Sequence, residues 1–387
     1  MSRRFVPVLL AAAAVALTMP ALVPASEART AALDSAAGPL AMRVVSIPGA
    51  VVHESRGGAR GPAMAALPDG RVLLGGGPNG RQLLLADPRS GALRKVGTVI
   101  RANQRRDDAR FAPTDIEVMS TTKSRTRLFI SYPEWVAKRR CVRLAVDRVD
   151  ISLSRPRILR KAKVLRSKPC VPPRNIQHTS GRLVRISNNR AYVSLGDLGY
   201  PDIADRGARG QLGSVLRIGK GVRPVRISQG HRNGQGLLLD RRGLLWETEH
   251  GPRGGDELNL IVRGRDYGWP FVTLGQPYGS SDYVMPRRTG THAGYTAPRT
   301  AWVPSVATSE LVQVPSSWRG WTTAVGGDLL MGTLKDRSLW RIRVSADNRV
   351  VQRERISVGQ RLRDLDVRPD RTIAATTDDG KLLILSR

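Results

Sequence analysis

The sequence predicts an all-β fold, a propeller assembled from repeated units of short antiparallel strands. Short apolar strands alternate with Gly-, Asn- and Asp-containing turns along most of the chain. No long segment shows the apolar period of an amphipathic helix. The 39 glycines and 25 prolines also suit a chain that turns often. A large β-sandwich is the alternative architecture.

The repeated unit is a strand, a tight turn, a second strand, a glycine turn and a third strand. In the first copy, turns at 68–70 and 79–80 separate strands at 64–67, 71–74 and 82–85. The Asp-Gly and Asn-Gly steps in these turns supply the positive φ angles that tight hairpins need. Further copies are expected at 183–195, 236–248, 328–342 and 365–385. Together they predict one propeller domain over residues 41–387.

Residues 75–80 formally match the Gly-x-Gly-x-x-Gly motif of dinucleotide-binding proteins. That motif must open a helix after a strand. Here Pro78 and the Asn79-Gly80 step predict a hairpin instead, so we expect no nucleotide site at this position.

The N-terminus carries the pattern of a secretory signal. Arg3 and Arg4 precede an apolar stretch at 5–22, and small residues follow up to Ala28. We therefore expect a signal peptide at 1–28, a flexible leader at 29–40 and a secreted, extracytoplasmic protein. An uncleaved membrane anchor is the alternative, because about 18 apolar residues suffice to span a bilayer. No later segment is apolar enough to span one.

The chain contains two cysteines, Cys141 and Cys170. An exported protein meets an oxidising compartment, so we expect a disulfide between them. Two buried free thiols are the alternative.

The formal net charge of the chain is +31, and a field of this size attracts polyanions. The arginines that carry most of it are spread along the whole sequence. Aromatic residues make up only 5%, which leaves few stacking platforms for single-stranded nucleic acid. We expect no specific nucleic-acid partner. The charge indicates a solvated surface, and electrostatic contact with an anionic envelope is the weaker interpretation.

Polar, glycine-rich loops at 230–236, 249–259 and 266–270 surround one strand pair. Loops on a rigid β scaffold are where binding groups gather. Their glycines let the backbone approach a ligand and expose carbonyl groups. Together with Asp256 and Glu257, such carbonyls suit a hard cation such as Ca²⁺. A polar loop tied by internal hydrogen bonds is the alternative.

These loops resemble the glucose/sorbosone dehydrogenase family. They read His-Arg-Asn-x-Gln-Gly at 231–236, Glu-His-Gly-Pro-Arg-Gly-Gly-Asp-Glu-Leu-Asn at 249–259 and Tyr-Gly-Trp-Pro at 267–270. Members of the family are soluble six-bladed β-propellers of four-stranded antiparallel blades that use pyrroloquinoline quinone (PQQ) and Ca²⁺. The resemblance implies a dehydrogenase that oxidises the anomeric carbon of an aldose sugar to a lactone. An external electron acceptor would reoxidise the cofactor.

The resemblance also implies roles for individual residues. The segment His-Thr-Ser-Gly-Arg-Leu makes His178 the general base. The implied cofactor-binding residues are Arg232, Asn233, Tyr278, Trp302, Lys335, Arg361 and Arg363. The implied metal ligands are Gly251 and Pro252 for the catalytic Ca²⁺, with Glu257 and Tyr267 for another Ca²⁺.

The chemistry of these side chains agrees with the implied roles. PQQ carries three carboxylates, and arginine pairs with carboxylates in a bidentate fashion. A histidine that is neutral near pH 7 can accept a proton from a sugar hydroxyl. In a chain this rich in arginine, Arg361 and Arg363 could also be a solvated pair. Asp197 either orients His178 or is purely structural.

Three departures from the family pattern concern the loops and the N-terminal half. Gly234 occupies a position where the family usually has proline. The family's Gly-Gln-Gly-Gly-like segment is absent, and the nearest stretch is 108–115. Residues 134–173 are interpreted as an added loop. These departures leave two other functions open: a non-catalytic secreted propeller that binds an anionic polymer or polysaccharide, and a Ca²⁺-dependent hydrolase or lactonase.

Overall fold

The computed structural model describes residues 29–55, 57–279, 282–322 and 327–387. The expected signal peptide at 1–28 lies outside these residues. Within them, every helix is a 3-10 turn of three or four residues. These turns are Pro48–Ala50, Ala102–Gln104, Ala137–Arg139, Ile176–Thr179 and Pro201–Ala204. No described helix has the length and apolar character needed to cross a membrane.

The strands form a six-bladed β-propeller, as predicted. Each blade is an antiparallel sheet whose strands run outward from the central axis. Blade 1 contains Ala63–Ala66, Val72–Gly76, Gln82–Ala86 and Leu93–Thr98. Blade 2 contains Asp115–Thr121, Thr126–Val136, Cys141–Ser152 and Arg157–Arg166. Blade 3 contains Ser180–Ser187, Arg190–Leu195, Ser214–Gly219 and Val222–Gln229.

The second half of the chain supplies the other three blades. Blade 4 contains Gly234–Leu239, Leu245–Glu249, Asp256–Ile261 and Thr300–Trp302. Blade 5 contains Thr308–Gln313, Leu329–Thr333, Ser338–Val344 and Val350–Ser357. Blade 6 contains Leu362–Val367, Ile373–Thr377, Lys381–Ser386, Leu40–Ser46 and Arg29–Leu33. Two small ribbons pair Val52–His53 with Ala59–Arg60 and Val272–Thr273 with Arg288–Thr289.

The ring closes because blade 6 combines both ends of the described chain. Leu40–Ser46 pairs with Lys381–Ser386, which places Met42 opposite Leu385. The innermost strands of the six blades contact one another in a closed circle. Arg29–Leu33 adds a fifth strand by pairing with Leu40–Ser46. Part of the segment expected to be a flexible leader is therefore a paired strand at the edge of blade 6.

The turn residues act as the sequence predicts. In blade 1, Gly77 and Gly80 both have positive φ angles and form the hairpin between Val72–Gly76 and Gln82–Ala86. Residues 75–80 therefore lead into a strand and not into a helix.

Residues 134–173 differ from the expected added loop. They supply the outer part of blade 2, because Thr126–Val136 pairs with Cys141–Ser152, which in turn pairs with Arg157–Arg166. The predicted disulfide between Cys141 and Cys170 is present. It fastens the start of the third strand to the connection that leads into blade 3.

A charged cluster fills the central channel below the loops. The Arg182 guanidinium lies 3.1 Å from carboxylate oxygens of both Glu310 and Asp364, and 3.9 Å from Asp115. All four side chains are buried and come from innermost strands of different blades. Burial raises the pKa of Asp115 to about 7, and the charge of Asp364 adds to the shift. The Arg182 guanidinium also donates to the carbonyl oxygen of Arg363 at 3.0 Å, which links the cluster to the loops above.

Candidate active site cleft

A cleft of about 810 Å³ opens at the end of the propeller where the innermost strands begin. The cleft is lined by the segments that precede these strands and by the turns between the second and third strands of the blades. The long connection at 262–299 in blade 4 adds one wall. The predicted site residues that line the cleft are His178, Arg232, Asn233, Gly251, Pro252, Tyr278, Lys335, Arg361 and Arg363.

His178 lies in the 3-10 turn that precedes the innermost strand of blade 3, and its side chain is buried at the cleft wall. Its ring Nδ1 is 2.9 Å from a carboxylate oxygen of Asp197. Burial lowers the pKa of His178, and the nearby positive charge of Arg232 lowers it further. Asp197 acts in the opposite direction but does not restore the ordinary value. The imidazole is therefore neutral at physiological pH.

Asp197 is fully buried behind the ring and is held by four donors. Besides the His178 ring, it accepts hydrogen bonds from the Gly199 N–H at 2.8 Å, the Trp269 indole at 2.7 Å and the Tyr283 hydroxyl. Burial alone would raise the pKa of Asp197, but the His178 ring and Arg232 hold it below its ordinary value. An ionised carboxylate only accepts hydrogen bonds, so Nδ1 of His178 carries the proton. The lone pair is then on Nε2, the nitrogen that a base would use.

Arg232 links the base to the next wall of the cleft. Its backbone N–H donates to the buried carboxylate of Glu249, and its carbonyl oxygen accepts the N–H of Asp197 at 2.9 Å. Its guanidinium lies 5.3 Å from the centre of the Trp269 ring and 6.0 Å from that of Tyr278. These contacts hold a cation within reach of both the base and the cleft.

Asn233 follows Arg232 and is also buried. Its side-chain oxygen accepts a hydrogen bond from Gln235 at 2.7 Å. The backbone carbonyl of Asn233 accepts the N–H of His250 at 3.0 Å. The loop that precedes blade 4 is therefore fastened to the turn that carries Gly251.

Lys335, Arg361 and Arg363 approach the cleft from blades 5 and 6. The two arginines flank one carboxylate, Asp378, each at 2.9 Å. Although burial opposes ionisation, these two cations lower the pKa of Asp378 to about 2. Arg361 also donates to the carbonyl of Leu334, next to Lys335, at 3.2 Å. Two of these three cations share one carboxylate, so this wall is positive.

Gly251 and Pro252 present backbone carbonyls to the same cleft. The Gly251 carbonyl accepts a hydrogen bond from Arg232 at 2.7 Å, and the Pro252 carbonyl accepts one from the Tyr278 hydroxyl at 3.1 Å. A carbonyl oxygen has two lone pairs, so each can still face a cation. The nearby carboxylate of Asp256 is occupied by Ser305 and by backbone N–H groups of the following turn. The two carbonyls fit a Ca²⁺ ion only if the bound molecule and water supply its remaining oxygen ligands.

Glu257 and Tyr267 lie outside the cleft, around a separate cavity of about 10 Å³. This volume is close to that of one water-sized sphere. Glu257 accepts hydrogen bonds from His292 at 2.7 Å and from Asn259 at 3.1 Å, and burial raises its pKa. The side-chain oxygen of Asn259 is buried without a hydrogen-bond partner among the described residues. The lining of the cavity thus includes two carboxylate side chains, those of Glu249 and Glu257.

The sequence of the chain was compared with family profiles and with characterised proteins. The profile of the glucose/sorbosone dehydrogenase family matches residues 60–384. The chain belongs to this family. It is 33% identical over 229 residues to the aldose sugar dehydrogenase YliI of Escherichia coli, a match that covers 54% of this chain. The chain therefore spans three fifths of the length of that relative.

Solved structures with related folds include two glucose/sorbosone dehydrogenase relatives. The soluble aldose sugar dehydrogenase of Escherichia coli, in its apo form, superposes with a TM-score of 0.72 at 24% identity, covering 89% of this chain and 99% of the other. The PQQ-bound aldose sugar dehydrogenase of Streptomyces coelicolor gives a TM-score of 0.63 at 20% identity, covering 89% and 98%. At these identities the likeness establishes the propeller fold.

Trp302 of this glucose/sorbosone dehydrogenase homologue does not line the cleft. Its side chain is 4% exposed and packs edge-on against Trp340 in the core between blades 4 and 5. It stands on the outermost strand of blade 4, where it pairs with Asp256, but its side chain lies in the core and not in the cleft lining. Its position therefore gives no support to a contact with the cofactor. Tyr278, by contrast, lines the cleft and is 56% exposed.

Sequence reasoning missed three residues that contribute to this family site. Trp269 lies in the Tyr-Gly-Trp-Pro motif, which signalled a family likeness but not the hydrogen bond to Asp197. Tyr283 lies in a loop without any motif. Arg60 lies in a segment that matches the family pattern only loosely, yet it lines the cleft beside Arg363.

Proposed function

We propose that this protein is a PQQ- and Ca²⁺-dependent dehydrogenase that oxidises the anomeric carbon of an aldose sugar to a lactone. One observation carries the proposal: a buried, neutral histidine faces the same cleft as the cations of Arg232, Lys335, Arg361 and Arg363. The family assignment and the sugar dehydrogenases among its relatives support a sugar dehydrogenase.

The cleft walls suit a tricarboxylated ligand. Lys335, Arg361 and Arg363 would pair with carboxylates of PQQ, because guanidinium and ammonium groups bind carboxylates through charge-assisted hydrogen bonds. Arg232 and Asn233 would contact the quinone from the opposite loop, and the exposed ring of Tyr278 would cover it. When bound, PQQ supplies a carbonyl group that accepts hydride, and a Ca²⁺ ion polarises that group.

The metal positions follow from the oxygen atoms that the chain presents. The carbonyls of Gly251 and Pro252 would hold the catalytic Ca²⁺ at the cleft. The small cavity beside Glu257 and Tyr267 would hold another, with Glu249 as a further carboxylate in its lining.

His178 would remove the proton from the anomeric hydroxyl of the sugar through Nε2. Because the pKa of His178 is lowered by burial and by Arg232, the ring is unprotonated and ready to accept that proton. Asp197 then stabilises the imidazolium through Nδ1 and keeps the ring in one orientation. Bound PQQ would accept the hydride that C1 releases as the C1–O bond gains double-bond character. An external acceptor would then take up the two electrons.

The protein is further proposed to act outside the cytoplasm. The disulfide between Cys141 and Cys170 supports an oxidising compartment. The signal pattern at 1–28 supports export, and the surface charge would favour contact with an anionic envelope.

Dye-linked oxidation of a panel of aldoses tests the proposal. The purified protein is reconstituted with PQQ and Ca²⁺, and dye reduction is followed with and without each component. The His178→Gln variant should lose about 10²- to 10⁴-fold in turnover, the range that a general base contributes, while PQQ affinity is retained. His53→Gln, at an exposed position outside the cleft, is the matched control. Failure of every aldose to reduce dye, with PQQ bound, would refute the assignment.

A further inference from the structure

Arg60 stands on the short ribbon that leads into blade 1. This ribbon pairs Val52–His53 with Ala59–Arg60 and packs directly against blade 6. The N–H of Gly61 donates to the Asp378 carboxylate at 3.0 Å. A Cβ atom at Gly61 would collide with the carbonyl oxygen of Thr377, so the two blades meet closely here. The contact places the Arg60 side chain on the wall that carries Arg363.

Arg60 is half-buried, and its guanidinium has few partners. It donates one hydrogen bond, to the carbonyl of Arg110 at 3.2 Å, and its Nε is buried without a partner. No carboxylate of a described residue forms an ion pair with it within 4.0 Å. Burial and the positive charges of Arg363 and Arg182 lower the pKa of Arg60 to about 9, against the opposing charges of Asp378 and Asp364. An unpaired, desolvated arginine is unfavourable unless an anion joins it.

The other carboxylates on this side of the cleft are engaged elsewhere. Asp108 is paired with Arg110, and Glu54 accepts the N–H of Ala109 at 2.8 Å. Asp378 already serves two arginines. The positive wall therefore carries four cations, and Asp378 is the carboxylate paired with two of them. Its cations are Arg60, Lys335, Arg361 and Arg363.

We propose that Arg60 binds a carboxylate of the cofactor, as a fourth cation beside Lys335, Arg361 and Arg363. The inference rests on the proposed function and assigns a role to a residue that the family motifs leave out. A ligand with three carboxylates suits a wall with this excess of positive charge. Ligand binding would give the Arg60 guanidinium an ion-pair partner, which no carboxylate of a described residue provides within 4.0 Å.

Calorimetric titration of the Ca²⁺-loaded, full-length protein with PQQ tests the role of Arg60. The Arg60→Gln variant should raise Kd about tenfold or more, as expected for loss of a charge-assisted hydrogen bond. It should also show a weaker dependence of Kd on salt. Arg60→Lys, which keeps the charge, should recover part of the affinity. Arg94→Gln is the matched control, because it removes one positive charge from an exposed strand of the same blade.

A second measurement separates ligand binding from a structural role. Without ligand, Arg60→Gln should melt at the same temperature as the parent or higher, because a repelled and half-buried cation is gone. A lower melting temperature together with an unchanged Kd for PQQ would overturn the proposal and make Arg60 a structural residue.

The source of the carboxylate is tested with sugars. If Arg60→Gln leaves Kd for PQQ unchanged but raises KM for glucuronate and not for glucose, the carboxylate belongs to an acidic substrate and the cofactor role is wrong. If the parent protein binds no PQQ, the proposed function fails and the role of Arg60 falls with it. If the parent and Arg60→Gln bind PQQ equally, only the role of Arg60 fails.

Discussion

Replacing Asp197 by asparagine would disturb the catalytic base without changing the size of the side chain. The carboxylate accepts hydrogen bonds from the His178 ring, Gly199, Trp269 and Tyr283. Asparagine offers one oxygen to these four donors and turns an NH₂ group toward the others. The His178 ring then loses the negative charge that stabilises its protonated form, and also the partner that fixes the proton on Nδ1.

The size of the effect follows from these two losses. A hydrogen bond to a charged group contributes about 1.5–3 kcal/mol, and about 1.4 kcal/mol corresponds to tenfold in rate. Loss of the ionic hydrogen bond alone therefore predicts a fall in rate of about 10- to 150-fold. With loss of the correct tautomer, the total fall in rate should reach about 10²- to 10⁴-fold, the range for a general base. The orphaned donors of Trp269 and Tyr283 should also lower the free energy of unfolding by about 1–3 kcal/mol.

The assay is the pH dependence of kcat/KM in the reconstituted enzyme. Asp197 opposes the lowering of the His178 pKa, so Asp197→Asn should move the acid limb of the profile to lower pH. Kd for PQQ should stay within a few-fold, because Asp197 lies behind the ring. Asp202→Asn, an exposed aspartate in the next 3-10 turn, is the control. A folded Asp197→Asn protein with nearly full kcat and an unmoved acid limb would refute the assignment of His178 as an oriented base.

Four further predictions concern stability, pH and metal. Replacing both Cys141 and Cys170 by serine opens a loop with a sequence separation of 29. The free energy of unfolding, measured with urea, should fall by about 3–4 kcal/mol. An unchanged midpoint of unfolding would contradict this prediction. Arg182→Met leaves buried carboxylates without their cation, so the free energy of unfolding, measured with urea at pH 8, should fall by about 3–5 kcal/mol. The loss should shrink at pH 5, where Asp115, with its pKa of about 7, is protonated; an equal loss at both values would contradict this. Because the pKa of His178 lies below its ordinary value, kcat/KM of the parent enzyme should fall only below about pH 6.5, and a fall beginning near pH 8 would argue for another base. Chelation of Ca²⁺ should abolish dye reduction, with recovery on adding Ca²⁺ but not Na⁺.

The propeller could be predicted because its signals are local. Each hairpin carries its own turn residues, such as Pro68-Asp69-Gly70, and its own apolar strands, so a short window of sequence suffices. The number of blades came from the family likeness and not from the repeats, because long loops interrupt the copies. Closure of blade 6 by Leu40–Ser46 depends on pairing with residues more than 300 positions away, and no local pattern encodes that partner.

The candidate site could be predicted where motifs are contiguous. Arg232, Asn233, Gly251 and Pro252 lie in such motifs and meet in the cleft. Trp302 shows the limit of this approach, because a residue matched by position in a loosely spaced segment lies in the core instead.

Arg60 shows the opposite case. Its importance depends on the close contact between blades 1 and 6, which brings it beside Arg363 from the far end of the chain. Neighbours so distant in sequence have no signature in a single sequence. Asp197 is intermediate: the sequence offers orientation of His178 as one of two roles, and only the structure identifies its four donors.

Anaerobic spectrophotometric titration tests most directly whether the cleft unites a base with a tightly held quinone. PQQ is added to the Ca²⁺-loaded protein until binding saturates, and an aldose is then added without any external acceptor. We predict one PQQ bound per chain and complete reduction by one equivalent of sugar, with His178→Gln binding the same amount but reducing it far more slowly. Saturable PQQ binding with no reduction by any aldose, or equal reduction by both proteins, would contradict the proposed chemistry.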